Sequence, residues 1–274
     1  MISLNCNGTY LYSSTPIVMG ILNLTPDSFY SGSRYSGVDA ALRQAETMLQ
    51  NGATILDIGG VSTRPNASTV SKAEELDRVL PAIVAIKKRF DAAIISIDTF
   101  RAEVAHAAVQ EGATVVNDVS GGRFDADLWR TVGALNVPYI LMHSIADPQT
   151  MQNNPQYDDV LLSVMDYFIQ TVPLLRESGI KDIIIDMGYG FGKTAVHNFE
   201  LLKHQADFST LGLPILTGIS RKSMIYKTLA ITPEIALPAT AALHLYALQQ
   251  GAAILRAHDV KEAMQVVELY KLLE

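Results

Sequence analysis

Met19-Gly20-Ile21-Leu22-Asn23-Leu24-Thr25-Pro26-Asp27-Ser28-Phe29 begins as an apolar run and breaks at a polar side chain, Asn23. A Thr-Pro-Asp-Ser turn follows, then a loop rich in Ser, Gly and Tyr from Tyr30 to Gly37. A strand covered on both faces reads as a continuous apolar run, and polar groups delivered to the loop beyond it are how α/β proteins build sites. The same layout recurs downstream. Strands are expected over residues 17–22, 53–58, 93–97, 114–116, 137–142, 182–185, 214–216 and 252–255. Helical periodicity fills the intervals: 38–50, 72–90, 102–111, 126–135, 159–177, 197–207, a short helix from 221, then 234–250 and 260–273. Gly52, Gly112, Gly179 and Gly251 stand where helices should stop. Ahead of the first unit, residues 2–12 read as a hairpin turning at Asn7-Gly8.

Eight strand–helix units within 274 residues predict a (β/α)8 TIM barrel with an N-terminal β-hairpin, a single domain spanning residues 1–274. A doubly wound open sheet is the competing architecture, weakened because no G-x-G-x-x-G follows a strand. Composition agrees with a covered sheet: 49% of residues are hydrophobic and 18% charged. The mean hydropathy is +0.19. A net charge of −7 argues against a nucleic-acid partner, since tracking phosphates requires a basic excess. A small anionic ligand stays compatible. The single cysteine, Cys6, excludes an internal disulfide, suits a reducing compartment and reads as a passive thiol. Neither a signal peptide nor a membrane span is expected, so the expected location is cytoplasmic.

Polar side chains cluster where the strands end. They are Asn23; Asp57 with the loop to Pro65; Asp98-Thr99; Asn117-Asp118; His143; Asp186; Ser220-Arg221-Lys222-Ser223; and Arg256 with His258. Any one strand turns polar as it leaves a core. Eight doing so, with acids, amides and bases together, point to a ligand site on the face where barrel strand ends converge. Asp98, Asn117 and Asp186 suit a flat nitrogen heterocycle: a carboxylate accepts two N–H donors and an amide reads a mixed edge. Arg64, Arg221, Lys222, Arg256 and His258 suit phosphate. Arg221 reads equally as an ion-pair partner, and His258-Asp259 as a cap of the last helix. His143 is divided between site and scaffold, while Asp57 and Asp118 are candidates for orienting an Arg or Lys. Gly188-Tyr189-Gly190-Phe191-Gly192-Lys193 lacks P-loop spacing; its glycines would let backbone approach a ring, with Phe191 as a wall. Zinc is unsupported, but Mg²⁺ held by Asn23 and ligand phosphates fits the residue types.

Six segments resemble the dihydropteroate synthase family: Gly20–Phe29, Asp57–Pro65, Ser96–Thr99, Asn117–Gly121, Ser220–Ser223 and Arg256–Val260. Met142-His143 and the stretch from Pro148 to Val160 match in order. The resemblance implies a homodimeric barrel enzyme of folate biosynthesis. It would join 4-aminobenzoate to 6-hydroxymethyl-7,8-dihydropterin diphosphate, giving 7,8-dihydropteroate and diphosphate. Carried over, it implies that Asp98, Asn117, Met142, Asp186, Gly218 and Lys222 bind the pterin. Asn23, Thr63, Arg64, Arg256 and His258 would hold the diphosphate, with Mg²⁺ at Asn23. Thr63, Pro65, Phe191, Lys222 and Ser223 would frame aminobenzoate, where sulfonamides compete. Lys222, Arg64, Arg256, His258, Asp98 and Asp186 would carry the catalysis. Residues 25–37 would form a lid. The chain departs from the family pattern at Ser31, Val61 and Met187. Two rivals are a methyltetrahydrofolate corrinoid methyltransferase, which needs no cations around a diphosphate, and a non-catalytic pterin-binding paralogue.

Overall fold

The computed structural model describes residues 1–24, 34–61, 70–144 and 155–273. Two antiparallel strands, β1 (Ile2–Cys6) and β2 (Thr9–Ser13), form the expected hairpin. Asn7 and Gly8 both take positive φ, 52° and 88°, as a tight hairpin turn requires.

Eight parallel strands then close into a barrel: β3 (Ile17–Asn23), β4 (Ile55–Gly59), β5 (Ile94–Asp98), β6 (Val115–Asp118), β7 (Tyr139–Met142), β8 (Ile183–Asp186), β9 (Ile215–Thr217) and β10 (Ile254–Ala257). The strands follow chain order, and β10 closes on β3. Around them lie α1 (Arg34–Gln50), α2 (Lys72–Arg89), α3 (Ala102–Gln110), α4 (Leu128–Leu135), α5 (Val160–Glu177), α6 (Ala195–Lys203), α7 (Ser223–Tyr226), α8 (Leu237–Gln249) and α9 (Val260–Lys271). The TIM barrel with its hairpin is therefore the architecture that the strand count predicts.

The strands β4 and β10 each start two residues later than expected, at Ile55 and Ile254 in place of 53 and 252, for one reason. The residue after each helix-ending glycine turns back onto the helix. Ala53 N–H donates to Met48 O, Ala113 to Ala108 O, Ile180 to Leu175 O and Ala252 to Ala247 O, at 2.9–3.1 Å. These residues satisfy orphan helix carbonyls, so Ala53 and Ala252 cap helices and do not open strands. The helix expected over 197–207 divides into α6 and a 3-10 helix, Gln205–Leu211, that stops at Gly212 (φ 66°). The helix expected from 234 is preceded by a 3-10 turn, Pro233–Ile235, and starts at Leu237-Pro238, where proline's missing N–H costs nothing. The first barrel helix begins at Arg34, so residues 34–37 of the supposed lid are helical; residues 25–33 lie outside the described residues.

Alternation along the strands separates two cores. Outward residues such as Val18, Leu56, Ile58, Ile97, Val116 and Leu255 pack beneath the helices. Inward residues Ile17, Met19, Ile55, Ile94, Val115, Ile140, Ile184, Leu216 and Ile254 fill the barrel near its N-terminal end. Ile2, Leu4, Cys6 and Leu11 of the hairpin join that inner cluster, so the hairpin plugs the floor. Burying side chains of this size contributes about 1.5–3 kcal/mol each. Burial also pushes the Cys6 thiol up to about 12, as suits the passive thiol expected. With the floor closed, ligand access is from the C-terminal ends of the strands.

Candidate active site

The same two-residue period that puts isoleucines in the floor puts polar groups above it. Two residues beyond Ile55 stands Asp57; beyond Ile94 come Ser96 and Asp98; beyond Val115, Asn117; beyond Ile140, Met142; beyond Ile184, Asp186; beyond Leu216, Gly218; beyond Ile254, Arg256. Arg256 sits at the centre of this layer. Its Nε donates to Asp57 Oδ2 at 2.6 Å and its NH2 to Asp98 Oδ2 at 2.7 Å. Asn117 Nδ2 donates to the same Asp57 oxygen at 3.1 Å. Asp57 is fully buried, and its Oδ1 has no partner among the described residues; Ser96 Oγ is likewise unpaired. Gly59 keeps β4 open here: a Cβ there would lie 3.5 Å from the Asp98 Cβ and 3.7 Å from Asn23 Oδ1.

Burial raises the Asp98 carboxyl to about 7; Arg256 opposes the shift and Asp57 adds to it. Asp186 is also raised by burial, with Lys222 opposing. Its Oδ1 accepts the Gly188 N–H at 2.8 Å. Burial lowers Lys222 to about 8, against the pull of Asp186. Gly218 stands between these groups: a Cβ there would lie 3.7 Å from Lys222 Nζ, 3.8 Å from Asp186 Oδ2 and 3.9 Å from Arg256 Cβ. Lys222 Nζ donates to Tyr189 O at 2.6 Å and sits 4.7 Å from the centre of the Phe191 ring. Ser223 opens α7 directly after it. His258 lies one residue past β10, with its Nδ1 3.1 Å from Ser220 Oγ, which also accepts the His258 backbone N–H at 3.2 Å.

The chain matches the family described as "Pterin binding enzyme" over residues 19–258. It is 44% identical to the dihydropteroate synthase of Escherichia coli (strain K12) over 266 residues, covering 95% of this chain and 94% of that one. The chain belongs to the dihydropteroate synthases. The crystal structure of the Yersinia pestis dihydropteroate synthase with a sulfonamide drug complex superposes with a TM-score of 0.93 at 38% identity, covering 99% of each chain. The Xanthomonas albilineans dihydropteroate synthase in complex with 7,8-dihydropteroate gives 0.89 at 36% identity, covering 99% of this chain and 98% of that one. The protein is accordingly an enzyme, a transferase of folate synthesis with a pterin-binding barrel.

In this dihydropteroate synthase fold, Asn23, Asp98, Asn117, Met142, Asp186, Gly218, Phe191, Lys222, Ser223, Arg256 and His258 all stand at the C-terminal end of the barrel or in the loops leaving it. Thr63, Arg64 and Pro65 lie outside the described residues. One sequence reading changes, and two left open are decided. Among the described residues Asp118 is seen to orient no Arg or Lys: with Val116 it belongs to the outward side of β6, and it accepts Tyr139 OH at 2.6 Å and the backbone N–H groups of Ser120 and Gly122. Arg221 is an ion-pair residue, bidentate to Asp259 at 2.8 and 2.9 Å. His143 is scaffold: it is buried, its Nδ1 lies 2.9 Å from Lys193 Nζ, and burial holds it well below the usual histidine range. Asp57, read only as an orienting group, does orient Arg256 and also turns an unpaired oxygen into the buried layer. Its place two residues after an inward Ile is the signal that could have marked it. Lys193 carries no signal in the sequence beyond its place at the end of a glycine-rich stretch.

Proposed function

We propose that this chain condenses 4-aminobenzoate with 6-hydroxymethyl-7,8-dihydropterin diphosphate by a dissociative displacement at the barrel mouth. The observation that carries the reading is the coexistence, in one buried layer, of an acid-and-amide floor and a cationic wall. Asp57, Asp98, Asn117 and Asp186 make the floor; Lys222 and Arg256 stand against it. The floor suits the donors of a pterin edge, with Met142 and Gly218 leaving room for the ring.

The C–O bond to diphosphate breaks first, and its electron pair leaves with the diphosphate. The positive charge left on the exocyclic carbon delocalises into the dihydropterin ring. Asp98 and Asp186 favour that charge; Arg256 and His258, with Asn23, Thr63 and Arg64, favour the departing anion, so both fragments are stabilised electrostatically. The aminobenzoate nitrogen, seated by Thr63, Pro65, Phe191, Lys222 and Ser223, then attacks the carbon and loses a proton to solvent. Sulfonamides would compete for that seat.

Among the described residues, no group of three or more His, Cys, Asp or Glu side chains could hold a metal. Asn23 offers a single amide oxygen, which fits Mg²⁺ brought in by the diphosphate and held mostly by its oxygens and water. When bound, Mg²⁺ would offset charge on the leaving group. A cytoplasmic location is part of the proposal; separately, among the described residues no helix is long and apolar enough to cross a membrane. The enzyme is also proposed to be a homodimer. Ala247, Leu248, Val266 and Val267 are used by the core, but Tyr246, Leu269, Leu272 and Leu273 stay exposed on and just beyond α8 and α9. A solution mass of one chain would remove the dimer from the proposal.

The decisive assay supplies Mg²⁺, the pterin diphosphate and labelled aminobenzoate and looks for labelled dihydropteroate. Lys222→Ala should lose nearly all turnover. Binding of the pterin diphosphate without product would point instead to the non-catalytic paralogue.

A further inference from the structure

We propose that Lys193 is a positioning residue for the reaction. Its buried ammonium fixes the glycine-rich loop after β8, so that the Tyr189 carbonyl and the Phe191 ring hold Lys222 in the pocket. The role in aminobenzoate binding rests on the assignment of Phe191 and Lys222 made above.

The loop cannot hold itself. Gly188, Gly190 and Gly192 all have positive φ, at 66°, 80° and 62°. Glycine gives access to that region at the cost of chain entropy. At Gly188 no other residue fits, since a Cβ would fall 1.9 Å from His143 O. Side chains supply what the backbone lacks. Lys193 is 3% exposed. Its Nζ lies 2.9 Å from His143 Nδ1, and it donates to His143 O at 3.3 Å, Gly188 O at 3.1 Å and Phe191 O at 3.1 Å. It thus ties the start and the tip of the loop to the end of β7. Asn198 of α6 adds a second tether: its Oδ1 accepts the Gly190 N–H at 2.7 Å and its Nδ2 donates to Lys193 O at 3.3 Å.

The three carbonyls are acceptors, and His143 Nδ1 can be one in the Nε2–H tautomer, so an ammonium with three N–H donors suits this nest and an apolar side chain would leave it unsatisfied. Burying that ammonium is costly, and burial drives it down to about 7. The catalytic consequence lies between Gly188 and Phe191, where the Tyr189 carbonyl takes the Lys222 proton donor and the Phe191 ring lies beneath it.

The test compares Lys193→Met, Asn198→Ala, their double variant and Phe191→Ala. Two readouts are needed: steady-state kinetics against both substrates, and the titration of the Lys222 side-chain resonance in ¹³C-lysine-labelled protein. Lys193→Met should raise the KM for aminobenzoate about tenfold and lower kcat. The KM for the pterin diphosphate should rise as well, but less, since Lys222 also touches the pterin, and the double variant should lose less than the product of the singles. Lys222 should titrate closer to the ordinary lysine value in Lys193→Met. If both KM values hold, kcat falls only with the fraction of active protein and Lys222 titrates as in wild type, the role is merely structural and the proposal is overturned. Should Phe191→Ala leave the aminobenzoate KM unchanged, the subsite assignment fails, while the Lys222 titration still decides the role of Lys193. If Lys193→Met does not fold, Asn198→Ala carries the same two readouts.

Discussion

Asp98 and Lys222 set the pH dependence expected of the free enzyme. Asp98, raised to about 7 by burial, must be ionised to favour a cationic ring, so kcat/KM for the pterin diphosphate should fall as pH drops through that value. Lys222, lowered to about 8, loses its charge as pH rises through that value and with it the cationic wall. The profile should be a narrow bell whose limbs belong to the coupled set and not to isolated groups. Lys222→Arg should remove the alkaline limb, because a guanidinium stays protonated throughout. Asp98→Asn should shift the acid limb and lower the plateau by about 10²-fold or more, the scale of losing one electrostatic stabiliser. A profile whose alkaline limb is unmoved in Lys222→Arg would assign that limb to another group.

The site depends on how neighbouring loops are tied. Arg221 has φ 52°, a left-handed conformation that is uncommon outside glycine. Its guanidinium is bidentate to Asp259 and also donates to Pro233 O at 2.8 Å and Glu234 O at 2.6 Å. It therefore joins the loop carrying Lys222 to the start of α9, just beyond His258. Asp259→Asn should raise the KM for the pterin diphosphate severalfold, and Arg221→Ala combined with it should be little worse than the worse single variant, as for residues that act as a unit. Helix starts are secured more locally. Ser71 accepts the Glu74 N–H at 3.3 Å while Glu74 accepts the Ser71 N–H at 2.9 Å, a capping box at the start of α2. Ser71→Ala should cost about 1 kcal/mol in denaturant unfolding with kcat intact.

The barrel as a whole should be acid-sensitive. His244, on α8, is buried, and burial lowers it to about 4. Its Nε2 has no partner among the described residues. His143 is lowered well below the usual range for the same reason. In each case the unfolded chain binds the proton more readily than the folded one. The stability these neutral rings provide is complete above the unfolded value near 6.5 and is lost as pH falls toward the folded value. For His244 alone the loss is on the order of 3 kcal/mol. His244→Leu should flatten the dependence of Tm on pH between about 6.5 and 4. An unchanged slope would show that His244 is not the group titrating.

Much of this was written in the chain. Short continuous apolar runs, with glycines closing α1, α3, α5 and α8, give eight βα units, and their polar ends identify one face. Asn23, Asp98, Asn117, Asp186 and Arg256 follow from that pattern because each ends or nearly ends a strand whose direction the barrel fixes. Side-chain partners were not legible, because they link residues far apart in sequence. Arg256 meets Asp57 of β4 and Asp98 of β5 only once β10 has closed beside β3. Asp118 and Asn117 are adjacent in sequence but face opposite sides of the sheet. The roles of Arg221, His143 and Lys193 likewise depended on which loops come to lie side by side. Local sequence fixes strand, helix and facing through short-range sterics and burial. Closure of the barrel alone decides which buried charge finds which partner, and therefore which residues bear the chemistry and which hold them in place.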